Sequence, residues 1–290
     1  MKIALVTYLD QGKYDTETVE SEDEKLLLFL QNKGLNIDKV IWNDPTINWD
    51  NYELAILKSP WDYFDLIKDF HQWLNILEEK SIRLLNPINT VRWNTDKHYL
   101  KEIQDAGLSI TPSIFLNKFD EICFDRFFKE FDTRKLIVKP CISGGAKNTF
   151  KVTDSNKKEV AKKLPQLIQE EDFIMQPFLP EILEKGEWSF IFFNGSYSHS
   201  LIKQAKVGDF RVQPAHGGTV HPQNPSQNLI DIAAKYVNQF AKDCLYARVD
   251  GTFVNNNFLL MELELIEPFL FLNTDQQNYD RYYKALQELI

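Results

Sequence analysis

The stretch Tyr246–Pro268 constrains this chain more than any other. Two apolar runs with period-two alternation flank Asn255-Asn256-Asn257, the pattern of a β-hairpin closed by a short Asn loop. With Val254 set against Phe258, Asp250 falls opposite Glu262 and Arg248 opposite Glu264. Alternation then puts Glu262 and Glu264 on one face and Met261, Leu263 and Leu265 on the other. Asp250, Glu262 and Glu264 thus converge on strands apolar enough to be buried. Opposed like charges destabilise a sheet unless something compensates them. Oxygen donors at this density suit Mg²⁺, which takes one or two carboxylates per ion and leaves positions for substrate phosphates. The competing expectation is a solvated acidic face on an edge hairpin. It sits poorly with Leu-Leu-Met-Glu-Leu-Glu-Leu-Ile around the two glutamates.

At 290 residues and 43% hydrophobic, the chain predicts two or three domains sharing a cleft. A net charge of −9 argues against nucleic acid or an anionic membrane as the main partner, while local basic residues could still bind a nucleotide. Cys123, Cys141 and Cys244 are too few and too scattered for a disulfide framework or a zinc site. Cys141 has no His partner in sequence and is taken as structural. No apolar run approaches the ~20 residues of a membrane span. Met1–Val6 opens a strand rather than a signal peptide, so the expected location is the cytoplasm.

Lys2–Thr7, Val40–Trp42, Leu54–Leu57 and Arg83–Asn86 predict strands. Between them lie expected helices over Ser21–Lys33, capped by Ser21 and stopped by Gly34, and over His71–Lys80. This alternation predicts an α/β domain with a parallel sheet over roughly 1–88. Ligands of such sheets sit at the carboxyl ends of strands. Thr7–Asp10 and Ser59-Pro60-Trp61-Asp62-Tyr63 qualify, the second offering Ser59, Trp61 and Asp62 to a small polar substrate. An ordinary strand-to-helix loop with a packed Trp is the alternative.

Farther on, a helix is expected from an Asn94 or Thr95 cap to about Ala106, with Lys97 in its first turn. A cation there opposes the helix dipole unless it reaches an anion. Leu136–Pro140 predicts a strand with Ile137 and Lys139 on one face, and Phe150–Val152 its return. Between them Gly144-Gly145 can turn backbone N–H groups toward a phosphate, although a plain hairpin turn carries the same pattern. It is no Walker A loop, since Gly-Lys-Ser/Thr is missing and two strands flank it. Pro177 and Pro180 are expected to forbid a regular central strand and to leave Gln176–Leu179 as an extended linker suited to an adenine edge. Asn194-Gly195 predicts a second hairpin, Asp209–Gly218 a polar loop, and Asn228–Leu245 an amphipathic helix.

In chain order the notable residues are Lys97, Lys139, the Gly-Gly loop, Gln176, Glu187, Arg211, Asp250 and Glu262-Leu-Glu264. This order resembles the ATP-grasp superfamily over roughly 88–290, in its prokaryotic glutathione synthetase-like branch. Ser59–Tyr63, Arg92–Lys97, Gly208–Gln213 and Glu262–Pro268 are most similar to the O-ureido-serine cyclo-ligases of cycloserine biosynthesis. The resemblance implies an α/β (α+β) fold of three parts. These are an N-terminal substrate-binding domain with a parallel sheet (1–88), a small ATP-grasp lobe with a phosphate flap (89–175), and a large lobe with the metal site (176–290).

The resemblance further implies that Lys97 and Lys139 contact the α- and β-phosphates, with Ser143, Gly144 and Gly145 closing over them. Gln176, Phe178 and Leu179 would hold the adenine and Glu187 the ribose. Asp250, Glu262 and Glu264 would hold two Mg²⁺ ions, or Mn²⁺ in their place. Arg211 would stabilise the transferring phosphoryl group, aided by Lys203 and Arg248, and the substrate would lie near Ser59, Trp61, Asp62 and His216. The implied reaction is an ATP-dependent joining of carboxylate and amine through an acyl phosphate, on a small amino-acid-like substrate and including an intramolecular cyclisation. A homodimer is the family-level expectation. A phosphotransferase and a non-catalytic nucleotide-binding protein are the alternatives. Three positions depart from glutathione synthetases: Glu264 and Gln213 stand where those enzymes carry Asn, and Ser189 where they carry Arg.

Overall fold

The computed structural model describes residues 1–9, 17–117, 120–212 and 217–290, with side chains of the first helix from position 22 onward. The first four strands are β1 (Ile3–Thr7), β2 (Ile37–Ile41), β3 (Leu54–Ser59) and β4 (Arg83–Leu85). They form an all-parallel sheet in the order β2-β1-β3-β4. Helices Glu17–Asn32 and Ile67–Glu79 supply crossovers, as strand–helix alternation requires. The first helix begins at Glu17, so Ser21 lies inside it rather than at its cap.

The second sheet joins β5 (Ile114–Leu116), β6 (Lys135–Pro140), β7 (Phe150–Thr153) and β8 (Phe173–Pro177) in the antiparallel order β5-β8-β6-β7. Here the expectation for Pro177 needs correcting. Phe173–Pro177 is an inner strand and carries Gln176 within it. Pro177 is its last residue, and the Phe178 N–H resumes pairing by donating to the Lys135 carbonyl at 2.9 Å. A proline at a strand end is tolerated.

The third sheet joins β9 (Glu187–Phe193), β10 (Ser196–Gln204), β11 (Thr219–Gln223), β12 (Tyr246–Val254) and β13 (Asn257–Glu264). Its order is β11-β10-β9-β12-β13, antiparallel throughout. Asp250 pairs with Glu262 and Arg248 with Glu264, as expected, but by a different path. Val254 pairs with Asn257, not Phe258, and the loop is Asn255-Asn256 with φ of 49° and 64°, both left-handed. Asparagine tolerates that region, which a two-residue hairpin turn requires. A bulge at Asp250/Gly251 then leaves Met261 as the extra residue and restores the register. Met261 consequently leaves the apolar layer that Leu260, Leu263 and Leu265 join. Gly251 permits the bulge: a Cβ there would press into the Leu259 carbonyl and the Phe258 ring.

The expected helix over 94–106 is two pieces, Ile88–Asn94 and Tyr99–Asp105. Asp96 breaks it by accepting the His98 backbone N–H at 2.9 Å, so Lys97 sits in the turn between helices. Asn94 is no cap. Its amide donates to the Leu263 carbonyl at 2.8 Å and accepts the Leu265 N–H at 3.0 Å, completing the outer edge of β13.

The parallel sheet and the hairpin share one core, in which Ile3 and Leu5 meet Tyr246 and residues of the C-terminal helix Gln277–Leu289. Polar ties fix their relation. Asn86 donates to the Tyr246 and Leu265 carbonyls at 2.9 and 2.8 Å. The Tyr246 hydroxyl lies 2.7 Å from the Leu57 carbonyl and 2.8 Å from that of Ile266. Leaving one such buried group unpaired costs about 1–3 kcal/mol. Among the described residues, no helix is long and apolar enough to cross a membrane.

Two predictions follow from this packing. His199 is buried, with Nε2 against the Leu270 carbonyl and Nδ1 against the Ser198 hydroxyl, both at 2.9 Å. Burial pushes its pKa down from 6.5 to about 4, so it folds neutral. Its contribution is whole above pH 6.5 and is lost as the pH falls toward 4, about 3 kcal/mol in all. Melting curves between pH 7 and 4.5 should show a shallower acid loss for His199→Gln than for wild type. Gly251→Ala should cost about 1–3 kcal/mol, read from the denaturation midpoint, because the added methyl overpacks the bulge.

Candidate active site

A cavity of about 660 Å³ opens where the three sheets meet. Asp250, Glu262 and Glu264 line one wall with Arg248, Lys203 and Glu187, while Lys97 and Lys139 approach from the other side. The expected carboxylate cluster is therefore real, but the chain supplies much of its compensation itself. Asp250 accepts from Arg248 Nη2 at 2.9 Å, Lys203 Nζ at 3.0 Å and Ser189 Oγ at 2.6 Å. Glu264 pairs with Arg248, and Glu262 with Lys139. Lys203 also reaches Glu187 at 2.5 Å. Ser189 is the residue directly across from Asp250 on β9, so the cations come from Lys203 and from Arg248 on the same strand as Asp250.

Electrostatics separates the three carboxylates. Burial would raise Asp250, but Arg248 and Lys203 outweigh it and hold the group well below the ordinary range. Burial is likewise overcome at Glu262, where Lys139 and Lys97 bring the pKa down to about 2. At Glu264 burial wins over Arg248, reinforced by Asp250 and Glu262, and the pKa rises to about 7. Burial also raises Glu187 against the pull of Lys203. An oxygen-only set on directly paired strands fits a hard divalent cation by its donor chemistry.

At the Gly-Gly loop, Lys97 is buried and donates to the Ser143 carbonyl at 2.9 Å. Gly144 lies so close to the Phe64 ring that no side chain fits between them. Lys147 pairs with Asp65 at 2.7 Å. The Gly-Gly loop is therefore docked on the loop that follows β3. Farther along the cavity, Phe178, Leu179, Ile182, Phe210 and Val212 make an apolar slot. Phe178 and Phe210 meet edge to face at 6.5 Å. The Gln176 amide donates to the Ser113 hydroxyl at 3.0 Å. Arg211 lines the cavity and is chelated by Asp209, with Nη2–Oδ2 at 2.8 Å.

Of the residues expected near the substrate, Trp61 lines the cavity and donates from its indole to the Glu267 carbonyl at 3.0 Å. Ser59 and Asp62 do not reach it. Ser59 is buried beneath, donating to Asp23 beside the Lys58–Glu22–Asp23 ion cluster. Asp62 is taken up by the Trp42 indole at 2.6 Å and the Asn43 amide at 3.2 Å. Both serve the loop rather than its lumen, because each finds a donor or acceptor in its own domain. His216 and Gln213 lie outside the described residues. Sequence reasoning missed Tyr63, Phe64, Met261 and Glu267 as lining residues. It also missed that His98 comes near Cys141. Ligand atoms of Asp96, His98 and Cys141 lie within 4.8 Å of one another. Burial raises the Cys141 thiol, and the His98 ring is bonded to Asp96 at 2.6 Å.

Comparison with known proteins fits this geometry. Residues 3–86 match the N-terminal domain family of D-cycloserine synthetase DcsG. Residues 110–270 match the ATP-grasp domain of prokaryotic glutathione synthetase. The cycloserine biosynthesis protein DcsG of Streptomyces lavendulae is 25% identical over 275 residues, covering 91% of this chain and 92% of its own. The crystal structure of D-cycloserine synthetase DcsG superposes with a TM-score of 0.84 at 23% identity, covering 99% of both chains. The D-alanine–D-alanine ligase of Bacillus anthracis complexed with ATP gives 0.72 at 16% identity, covering 100% of this chain and 97% of that one. The chain belongs to the prokaryotic glutathione synthetase family of ATP-grasp ligases.

Proposed function

We propose that this ligase uses ATP and Mg²⁺ to join a carboxylate to an amine within one small amino-acid-like substrate, closing a ring. The observation that carries the reading is a single cavity in which carboxylates of paired strands face Lys97, Lys139 and Arg211. The N-terminal match at 3–86 and the likeness to DcsG support the ring closure. A biosynthetic ligase of this kind would work in the cytoplasm, where ATP is held.

A carboxylate resists an amine at neutral pH because its oxygen is a poor leaving group. In the proposed sequence a substrate carboxylate oxygen attacks the γ-phosphorus of ATP, a P–O bond forms, and the bond to ADP breaks. The amine then attacks the acyl carbon, a C–N bond forms, phosphate leaves with its C–O electron pair, and the amine gives up a proton. Lys97 and Lys139 are placed to neutralise phosphate charge, and the slot at Phe178 and Leu179 to hold the base. Glu187 takes the ribose. Arg211 reaches the transferring phosphoryl group. Lys203 and Arg248, committed to Asp250, act mainly by orienting it. Asp250, Glu262 and Glu264 would hold Mg²⁺, which when bound would neutralise phosphate charge. The loop docked on Phe64 and Asp65 excludes water that would hydrolyse the acyl phosphate.

The test is ADP release with Mg²⁺ across an amino-acid panel that includes O-ureido-serine. Equal amounts of ADP and phosphate, dependent on one amino acid, are expected. ADP with a phosphorylated product would indicate a kinase instead, and no turnover would refute catalysis. Glu262→Gln should lower turnover by roughly 100-fold or more in a chain that still folds, as its far-UV circular dichroism checks, with some melting temperature lost along with the Lys139 pair. Gly144→Ala should displace the loop from Phe64, so that ADP release outruns product formation, as counted by chromatography of both.

A further inference from the structure

Glu267 lies three residues beyond Glu264 and lines the same cavity, yet neither a metal nor a phosphate role falls to it. Its carboxylate has no hydrogen-bond or ion-pair partner among the described residues. The nearest cations are committed elsewhere: Lys97 to Ser143, and Arg248 to Asp250 and Glu264. Its backbone is held in place, since the Trp61 indole donates to its carbonyl. Trp61 and Tyr63, carried on the loop that follows β3, line the cavity beside it: the Trp61 indole bonds to the Glu267 carbonyl, and the Glu267 charge bears on the Tyr63 hydroxyl. Burial and the neighbouring Glu264 push the Glu267 carboxyl up to about 8, the mark of a carboxylate with no cation beside it, and an arriving ammonium group would draw it back to the charged form as its proton leaves. A carboxylate among aromatic rings suits an organic cation better than a hydrated metal ion.

We infer that Glu267 holds the ammonium group of the amino-acid substrate, with Trp61 and Tyr63 as the aromatic wall beside it. This rests on the ligase reading above and names what that site selects. In a substrate such as O-ureido-serine the attacking nitrogen is on the side chain. The α-ammonium then takes no part in ring closure and is free to serve as the handle. Glu267 thereby fixes which end of the substrate meets ATP: the ammonium sits at the aromatic wall, and the carboxylate is left toward Arg211 and the metal-binding carboxylates.

The experiment compares O-ureido-serine, or the panel amino acid that turns over fastest, with its N-acetyl derivative on wild type, Glu267→Gln and Glu267→Asp. Wild type should discriminate against the acetylated compound by roughly 100-fold in kcat/KM. Glu267→Gln should raise KM for the free amino acid roughly tenfold or more and erase most of that discrimination. KM for ATP and the Mg²⁺ requirement should stay as in wild type, and Glu267→Asp should recover part of the loss. Full discrimination retained by Glu267→Gln would overturn the assignment. A loss confined to kcat would make Glu267 a base instead, and an altered Mg²⁺ requirement would make it a metal ligand; either result overturns it. If wild type turns over no amino acid, the ligase reading fails first, an outcome distinct from turnover with unchanged selectivity.

Discussion

The pairing of Asp250 with Glu262 across β12 and β13 is the constraint from which the site follows. Two carboxylates set opposite each other inside a protein carry a desolvation cost of several kcal/mol each, and their repulsion adds to it. Arg248, Lys203, Ser189 and Lys139 offset that cost by bonding to them directly. The wall is therefore close to a balanced lattice of charge rather than an acidic patch. Lys139, paired with Glu262 in the free protein, would exchange it for a phosphate oxygen and leave the carboxylate to hold Mg²⁺, so that no charge is left buried alone.

Such a lattice has to be held rigidly, and the parallel sheet does part of that work. Tyr246 at the start of β12 bonds to both the Leu57 and Ile266 carbonyls, and Asn86 clamps Tyr246 and Leu265. Glu22, buried with Lys58, accepts the Leu270 and Leu272 N–H groups at 3.0 and 2.8 Å. The segment after β13, which carries Glu267 and Phe269, is thus pinned to the first helix. The segment that carries Glu267 and the carboxylates of β12 and β13 cannot shift independently without breaking buried hydrogen bonds.

Much of this was legible in the sequence, though not always for the right reason. The Asp250–Glu262 opposition emerged from a register counted about a loop of the wrong length. The bulge at Gly251 cancelled the error, and only the side taken by Met261 betrayed it. Alternation along a strand says which way a residue faces, so Lys139 was readable. It does not say which loop end faces a lumen, so Ser59 and Asp62 were assigned to a cavity they do not line. Pro177 was judged by a rule for strand interiors when it stands at a strand end. Glu267 was overlooked because its meaning depends on Trp61 and Tyr63, far away in sequence and adjacent only after folding. Ion pairs such as Lys139–Glu262 leave no local signal at all.

The charge lattice itself is open to direct measurement by electron paramagnetic resonance of Mn²⁺ titrated in place of Mg²⁺. With Arg248, Lys203 and Lys139 already bonded to the carboxylates, the protein alone should take up little Mn²⁺. Addition of a non-hydrolysable ATP analogue should bring about two ions onto each chain, the number expected for a nucleotide held by two metals. Strong uptake without nucleotide, or none with it, would contradict the account.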